Sequence, residues 1–188
     1  MNRSLVPLAL ILLVTSLAIP GVGKTEERSS ETLFSKALLA LPASLQSSAS
    51  VVAFDAEWNR RVLHLGTNKI ACVSEAPFMG AQYAVCQHES SEAFWVMGMK
   101  LRAQGKSANE VDKVRIESMR QGDLEIPQPG TARYFLIGGR LENLLPIMVI
   151  SLPDATSTST GLSTEPDPFR PWLMHAGTPS AHIMLPGN

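Results

Sequence analysis

The sequence has only two cysteines, 6% aromatic residues and no excess of charge of either sign: 16 basic side chains stand against 17 acidic ones, a net −1 with histidine neutral. Each shortage excludes something. A near-neutral balance argues against a general nucleic-acid binder, which needs a basic surface to meet phosphates. No G-x-S-x-G occurs, so the nucleophile elbow of an α/β-hydrolase is missing. The one His-Glu pair, His88-Glu89, runs into Ser90-Ser91-Glu92-Ala93 with no second histidine, so H-E-x-x-H is missing too. Gly138-Gly139-Arg140 has neither the spacing nor the lysine of a phosphate loop.

Long apolar runs are absent except at the start. Met1-Asn2-Arg3 gives a short positive stretch, Leu5 to Ala18 is apolar apart from Thr15 and Ser16, and Ala18-Ile19-Pro20-Gly21-Val22-Gly23 supplies small residues and a proline. These are the three regions of a secretory signal peptide over residues 1–23. The run is short of the roughly 20 residues that cross a bilayer, so no transmembrane helix is expected in the mature chain. Small residues precede cleavage after 18 (Ser16, Ala18) and after 23 (Gly21, Gly23), and the sequence does not choose between them. Loss of Arg3 leaves 15 bases against 17 acids, a net −2. Residues 100–122 hold a local basic surplus (Lys100, Arg102, Lys106, Lys113, Arg115 and Arg120 against Glu110, Asp112 and Glu117), read as a solvated helix face. An exported protein, periplasmic or extracellular, is the expectation.

In an oxidising compartment a lone pair of cysteines reads as one disulfide, Cys72–Cys86. It would close a loop of about 15 residues and contribute roughly 3 kcal/mol in the chain-entropy model. A structural zinc would need four ligands, and only His88 stands near the pair. A redox couple would normally be C-x-x-C. Neither a metal nor a cofactor is expected.

The remainder suggests an α+β fold. Residues 31–41, ETLFSKALLAL, have apolar positions at helical spacing before Pro42, and PASLQSSAS follows; 24–49 therefore reads as a loosely attached helical arm and a Ser/Ala-rich linker. A single domain is expected over 50–188. Its mostly antiparallel sheet would come from a 50–65 hairpin about DAEWN and from runs at 133–137, 145–152 and 181–185. Two helices would pack on it. Phe94, Met97 and Leu101 at i, i+3 and i+7 mark one near 90–104, with Trp95, Met97 and Met99 as core side chains. Ser107 and Glu110 form an S-x-x-E capping box for another near 108–120. Residues 154–171 make a polar segment too long for a plain connector, which reads as a functional loop or an insertion.

Several short motifs recur in an uncharacterised group of secreted bacterial proteins, with a G-T-N-G-W-x-C turn, a second cysteine before a Trp-bearing helix, Y-M-L-x-G, an S-N-T-D-P-like loop and P-H-I-M near the end. The chain resembles that group at Gly66-Thr67-Asn68 with Cys72, at Cys86 with Trp95, and at Tyr134 to Gly138. The likeness continues at Ser163-Thr164 with Asp167-Pro168 and at Pro179 to Met184. It departs at Lys69-Ile70, at Gln87-His88, at Ser180-Ala181 and over about Leu141 to Thr160, which looks inserted. The resemblance implies a shared secreted fold with the disulfide, and it brings no catalytic residue.

Two functional classes stay open. The favoured one is a secreted, non-catalytic binding or structural module of the bacterial envelope, acting on an envelope protein or small molecule through the 154–171 loop and the rim around the disulfide. The alternative is a small hydrolase or metal-dependent enzyme whose site is assembled from His64, His88, His175 and His182 with acids such as Asp55 or Asp167. His64 reads as a half-exposed strand residue. His182 is the histidine singled out, because an imidazole in an apolar run costs energy unless it is bonded.

Overall fold

The computed structural model describes residues 31–187; the signal-peptide segment, 1–23, and residues 24–30 lie outside them. Strands β1 (Ser50–Phe54), β2 (Arg60–His64), β3 (Ile70–Glu75), β4 (Gln82–His88), β5 (Ala132–Ile137), β6 (Leu145–Ser151), β7 (Trp172–Met174) and β8 (His182–Pro186) form one sheet. Their order is β2-β1-β3-β4-β5-β6-β8-β7. Every pairing is antiparallel except β1 with β3. The helices are α1 (31–38), α2 (Ala43–Gln46), α3 (Glu92–Ala103), α4 (Ala108–Gln121) and α5 (Ser157–Thr160). This is the expected α+β domain, a mostly antiparallel sheet with a helix pair on one face and the N-terminal helix apart from that pair on the other.

The expected hairpin forms β1 and β2. Its turn is held by the Asp55 carboxylate, which accepts from the Glu57 amide (3.0 Å), the Asn59 amide (2.8 Å) and Asn59 Nδ2 (3.0 Å). The Asn59 amide foremost keeps that carboxyl below its ordinary pKa. Helix α4 begins on the expected capping box: Ser107 Oγ accepts from the Glu110 amide, and Glu110 accepts from the Ser107 amide. It ends on Gly122 in the left-handed region.

Three strands are additions to the pattern. β3 and β4 form a hairpin at the middle of the sheet, so the cysteines lie within it rather than in a segment beside it. Buried on both faces, Ile70–Glu75 shows no alternation of apolar and polar residues to read. β7, three residues long, falls at the end of the stretch that reads as loop.

Alternation along the strands sorts the core into two layers. Val52, Phe54, Val73 and Val85 face α3, where Trp95 and Met99 complete a cluster. Trp95 also donates from Nε1 to Gln82 Oε1 at 2.8 Å. The buried stripe of α3 is Phe94, Trp95, Gly98 and Met99, whereas Met97 is only half-buried and Leu101 likewise. Val51, Cys72 and Cys86 face the opposite way, under Ala37 and Leu41.

The N-terminal segment corrects the reading of a loose arm and linker, at least over its described part. Ala37 is 1% exposed and Leu41 4%, and both sit over the disulfide. The Ser/Ala-rich stretch is bound into the fold by the Gly66-Thr67-Asn68 turn. The Thr67 and Asn68 amides donate to the Ser48 carbonyl (2.7 and 3.1 Å). Asn68 Nδ2 donates to the Leu45 carbonyl and to Ser48 Oγ, and the Gly66 amide donates to Ser50 Oγ. This answers what the G-T-N motif does here: it ties 45–50 to the start of β3.

Gly66 has to be glycine for that contact. A Cβ there would run into the backbone of Ser48, Ala49 and Ser50, atoms that cannot swing aside as a side-chain tip can. Gly66→Ala is therefore expected to destabilise the protein at or above the upper end of the ~1–3 kcal/mol typical of overpacking. Chemical denaturation measures it; an unchanged midpoint would mean that the 45–50 segment is not seated on the turn in solution.

Candidate functional site

Two regions of the α3/α4 face have the character of a site. The first is a polar layer buried between sheet and helices. Register places Gln87 of β4 opposite Arg133 of β5, Arg133 opposite Val149 of β6, and Ser151 opposite His182 of β8. Strand alternation turns Gln87, Arg133, Ser151 and His182 toward the helices. From above, α4 contributes Asp112 and Arg115, α3 contributes Phe94, and Ser91 precedes it.

The two guanidinium groups flank one ring: Arg115 Cζ lies 4.0 Å from the Phe94 centroid and Arg133 Cζ 5.0 Å. Cation–π attraction of this kind is strongest where water is excluded. The approach of Arg115 depends on Gly98, since a Cβ there would occupy the place of its guanidinium. Burial pulls both guanidinium pKa values down, Arg115 to about 9, with Arg133 as the next cause, and Arg133 to about 10. Both remain cationic at neutral pH.

Compensation of these charges is uneven. Asp112 reaches Arg115 Nη1 at 3.9 Å and His175 Nε2 at 3.5 Å. Arg133, 7% exposed, makes no ion pair among the described residues. Both amide atoms of Gln87, the hydroxyls of Ser91 and Ser151, and Nε of Arg115 and of Arg133 are buried without a hydrogen bond to any described residue. Native proteins leave few such groups unpartnered, and each asks for an explanation.

The second region is an apolar groove at the other end of the same face, where no helix covers the sheet. Leu145, Ile147, Trp172, Met184 and Pro186 form its floor, and Pro166 and Pro168 its far wall, around about 390 Å3. The Asp167 carboxylate holds the loop above it, accepting from the Phe169 amide (2.8 Å), the Arg170 amide (3.2 Å) and Arg170 Nε (2.8 Å). Those bonds, the Phe169 amide first, hold its pKa below the ordinary carboxylate value. The Leu173 amide donates to the Ser163 carbonyl, anchoring the loop's near end. Phe169 stands at 85% exposure on the outside of the loop.

Only two of the four histidines meet. His175 and His182 come together, ring centroids 5.4 Å apart. His64 is exposed on β2, its ring edge-on to Phe34 at 5.5 Å. His88 caps the turn before α3, its Nδ1 accepting from the Ser90 amide at 3.3 Å. Nor do the acids named beforehand join the pair: Asp55 and Asp167 each brace a turn. The carboxylate beside the histidines is Asp112, which the sequence pattern places on a solvated helix face together with Arg115. Arg115 is instead 8% exposed. A basic residue flanked by Val114 and Ile116, at the spacing of Val111 and Met119, was the available sign that it faces inward.

His182 carries the expected compensation. Its Nδ1–H donates to the Ser180 carbonyl at 2.7 Å, and burial, followed by the Arg133 charge, pushes its pKa down to about 3. Burial also lowers the pKa of His175, more than Asp112 raises it. Among the described residues no three histidine, cysteine or carboxylate side chains are grouped so as to hold a metal ion.

Cys72 and Cys86 form the expected disulfide as directly opposed residues of β3 and β4. Both are fully buried, and Cys86 Sγ lies 3.3 Å from the Ala37 carbonyl oxygen. The rim of the disulfide is therefore covered by α1 and offers no exposed surface for a partner. Among the described residues no helix is long and apolar enough to cross a membrane. No family model, curated protein or solved structure matches the chain.

Proposed function

We propose that the protein is an exported, non-catalytic binding module of the periplasm or extracellular space, and that it takes a small apolar molecule into the groove beneath the 162–171 loop. The observation that carries this reading is the groove itself. About 390 Å3 falls in the ~300–1,000 Å3 range of small-molecule sites, and its lining is apolar with Asp167 as its one charged side chain. A tryptophan and a methionine on the floor suit an apolar ligand of loosely defined shape. The buried disulfide accords with export, and so does the likeness to secreted bacterial proteins at the motifs that hold the turn and the loop.

The second reading, a small hydrolase or metal-dependent enzyme, has in its favour the meeting of His175, His182 and Asp112. Against it, Nδ1 of His182 is engaged by the Ser180 carbonyl, and Asp112 is already shared between Arg115 and His175. Ser151 lies opposite His182 in register, but its hydroxyl makes to neither ring the hydrogen bond that an activated nucleophile needs.

The test is a titration of the full chain with N-phenyl-1-naphthylamine, read by quenching of tryptophan emission. Saturable quenching is expected, with affinity reduced tenfold or more in Ile147→Trp, whose larger side chain fills the groove floor; tenfold corresponds to about 1.4 kcal/mol. Absence of saturable quenching, or equal affinity in a folded Ile147→Trp variant, would remove the groove as the site.

A further inference from the structure

The polar layer holds one more positive charge than its own side chains compensate. Asp112 faces Arg115 and His175, and His182 is held neutral by burial, so the two imidazoles and the carboxylate leave Arg133 unanswered. An isolated buried cation is among the costliest arrangements in a protein interior unless something pairs with it. No carboxylate among the described residues does so.

Beside Arg133 is a small, partly enclosed cavity of about 10 Å3, lined by Phe94, Pro127, Ser151, Ser180 and Ala181. That space admits one particle of about the size of water and excludes tetrahedral oxyanions. Two of the residues that line it carry buried donors without a partner among the described residues: Arg133 Nε and Ser151 Oγ, on residues 7% and 3% exposed. The Ser180 carbonyl is turned onto His182 and does not compete for them. A water molecule would satisfy the two donors and leave the guanidinium charge. A monatomic anion satisfies the donors and the charge together, and the apolar walls of Phe94, Pro127 and Ala181 ask nothing more of it.

We propose that this cavity is a halide site, in which one chloride accepts hydrogen bonds from the Arg133 guanidinium and the Ser151 hydroxyl and supplies the negative charge that no side chain provides. Its recognition chemistry is that of a single small monovalent anion, distinct from the apolar groove in place and in ligand. Occupancy ties β5, β6 and α3 together beneath the helix pair.

The test is thermal unfolding of the full chain in sodium chloride against sodium gluconate at equal ionic strength. A site specific to the native state predicts a midpoint rising roughly 3–6 °C for each tenfold increase of chloride above its dissociation constant. Bromide should substitute for chloride, and sulfate should give only the general salt response. In Arg133→Met the difference between chloride and gluconate should vanish. Ser151→Ala, which leaves the charge in place, should raise the half-effect chloride concentration at least threefold, and it decides the matter if Arg133→Met does not fold. Chloride and gluconate curves that overlay in the unsubstituted protein would assign the cavity to water and overturn the proposal. A chloride effect undiminished in Ser151→Ala, or in a folded Arg133→Met, would place the ion elsewhere and overturn it equally.

Discussion

Replacing both cysteines by alanine should cost the protein about 2–5 kcal/mol, which for a chain of this length lowers the thermal midpoint by roughly 5–15 °C. The cross-link closes a loop of about 15 residues, worth roughly 3 kcal/mol through the unfolded state alone. Its position adds to that. Cys72 and Cys86 are fully buried at the centre of an eight-stranded sheet, and both sulfurs pack under Ala37 and Leu41, so alanine also leaves a void between sheet and helix. The same burial sets the kinetics of reduction. A reductant reaches the sulfurs only when α1 lifts or the hairpin opens, so dithiothreitol should reduce the native protein at the rate of that opening and reduce the denatured protein at once. Mass spectrometry of alkylated samples follows both. A double variant melting within about 2 °C of the unsubstituted protein would refute the stability claim. Rapid reduction of the native protein would show that α1 does not cover the bond in solution.

What the sequence disclosed depended on how far each signal is local. The capping box at Ser107 and Glu110, the turn about Asp55 and the strand at Leu145–Ser151 are written in a few adjacent residues, and they were legible. The pairing of Cys72 with Cys86 followed from composition and compartment, without knowledge of the strands that carry them. The two central strands were not legible, because burial on both faces erases the alternation by which a strand is recognised. The 42–50 stretch is deceptive for another reason: its serines have the composition of a linker, and the groups that bond them, Gly66, Thr67 and Asn68, come from beyond the intervening hairpin. The polar layer was the least visible. Gln87, Arg115, Arg133, Ser151 and His182 lie on five elements, and nothing in the neighbourhood of each announces that the others converge on it. His182 was the exception, since an imidazole in an apolar run already raises the question of what satisfies it.

Acidification from pH 7 to pH 5 should remove about 2 kcal/mol of stability, well above the range in which carboxylates titrate. In the unfolded chain the His182 imidazole takes up its proton near the ordinary value of 6.5, whereas in the fold burial holds its pKa at about 3. The unfolded state therefore binds the proton first, and the stability conferred by the neutral ring is complete above about pH 6.5 and lost progressively as the pH falls toward 3. At 1.36 kcal/mol for each unit, the interval down to pH 5 accounts for about 2 kcal/mol and the whole window for roughly 5. His175, also lowered, acts in the same direction. The groups packed around the pair act in both directions: Arg133 and Arg115 oppose an imidazolium on either ring, Asp112 favours one on His175 and the Ser180 carbonyl favours one on His182, and burial outweighs both. Urea unfolding at pH 7, 6 and 5 should show a falling midpoint with an unchanged slope. His182→Gln, which keeps a donor for the Ser180 carbonyl and cannot titrate, should flatten most of the trend; a midpoint constant across this range would mean that water reaches the ring. The halide and the proton are also linked through Arg133. An anion beside that guanidinium weakens its repulsion of an imidazolium, so the decline with acid should be shallower in chloride than in gluconate, and Ser151→Ala should bring the two slopes closer together.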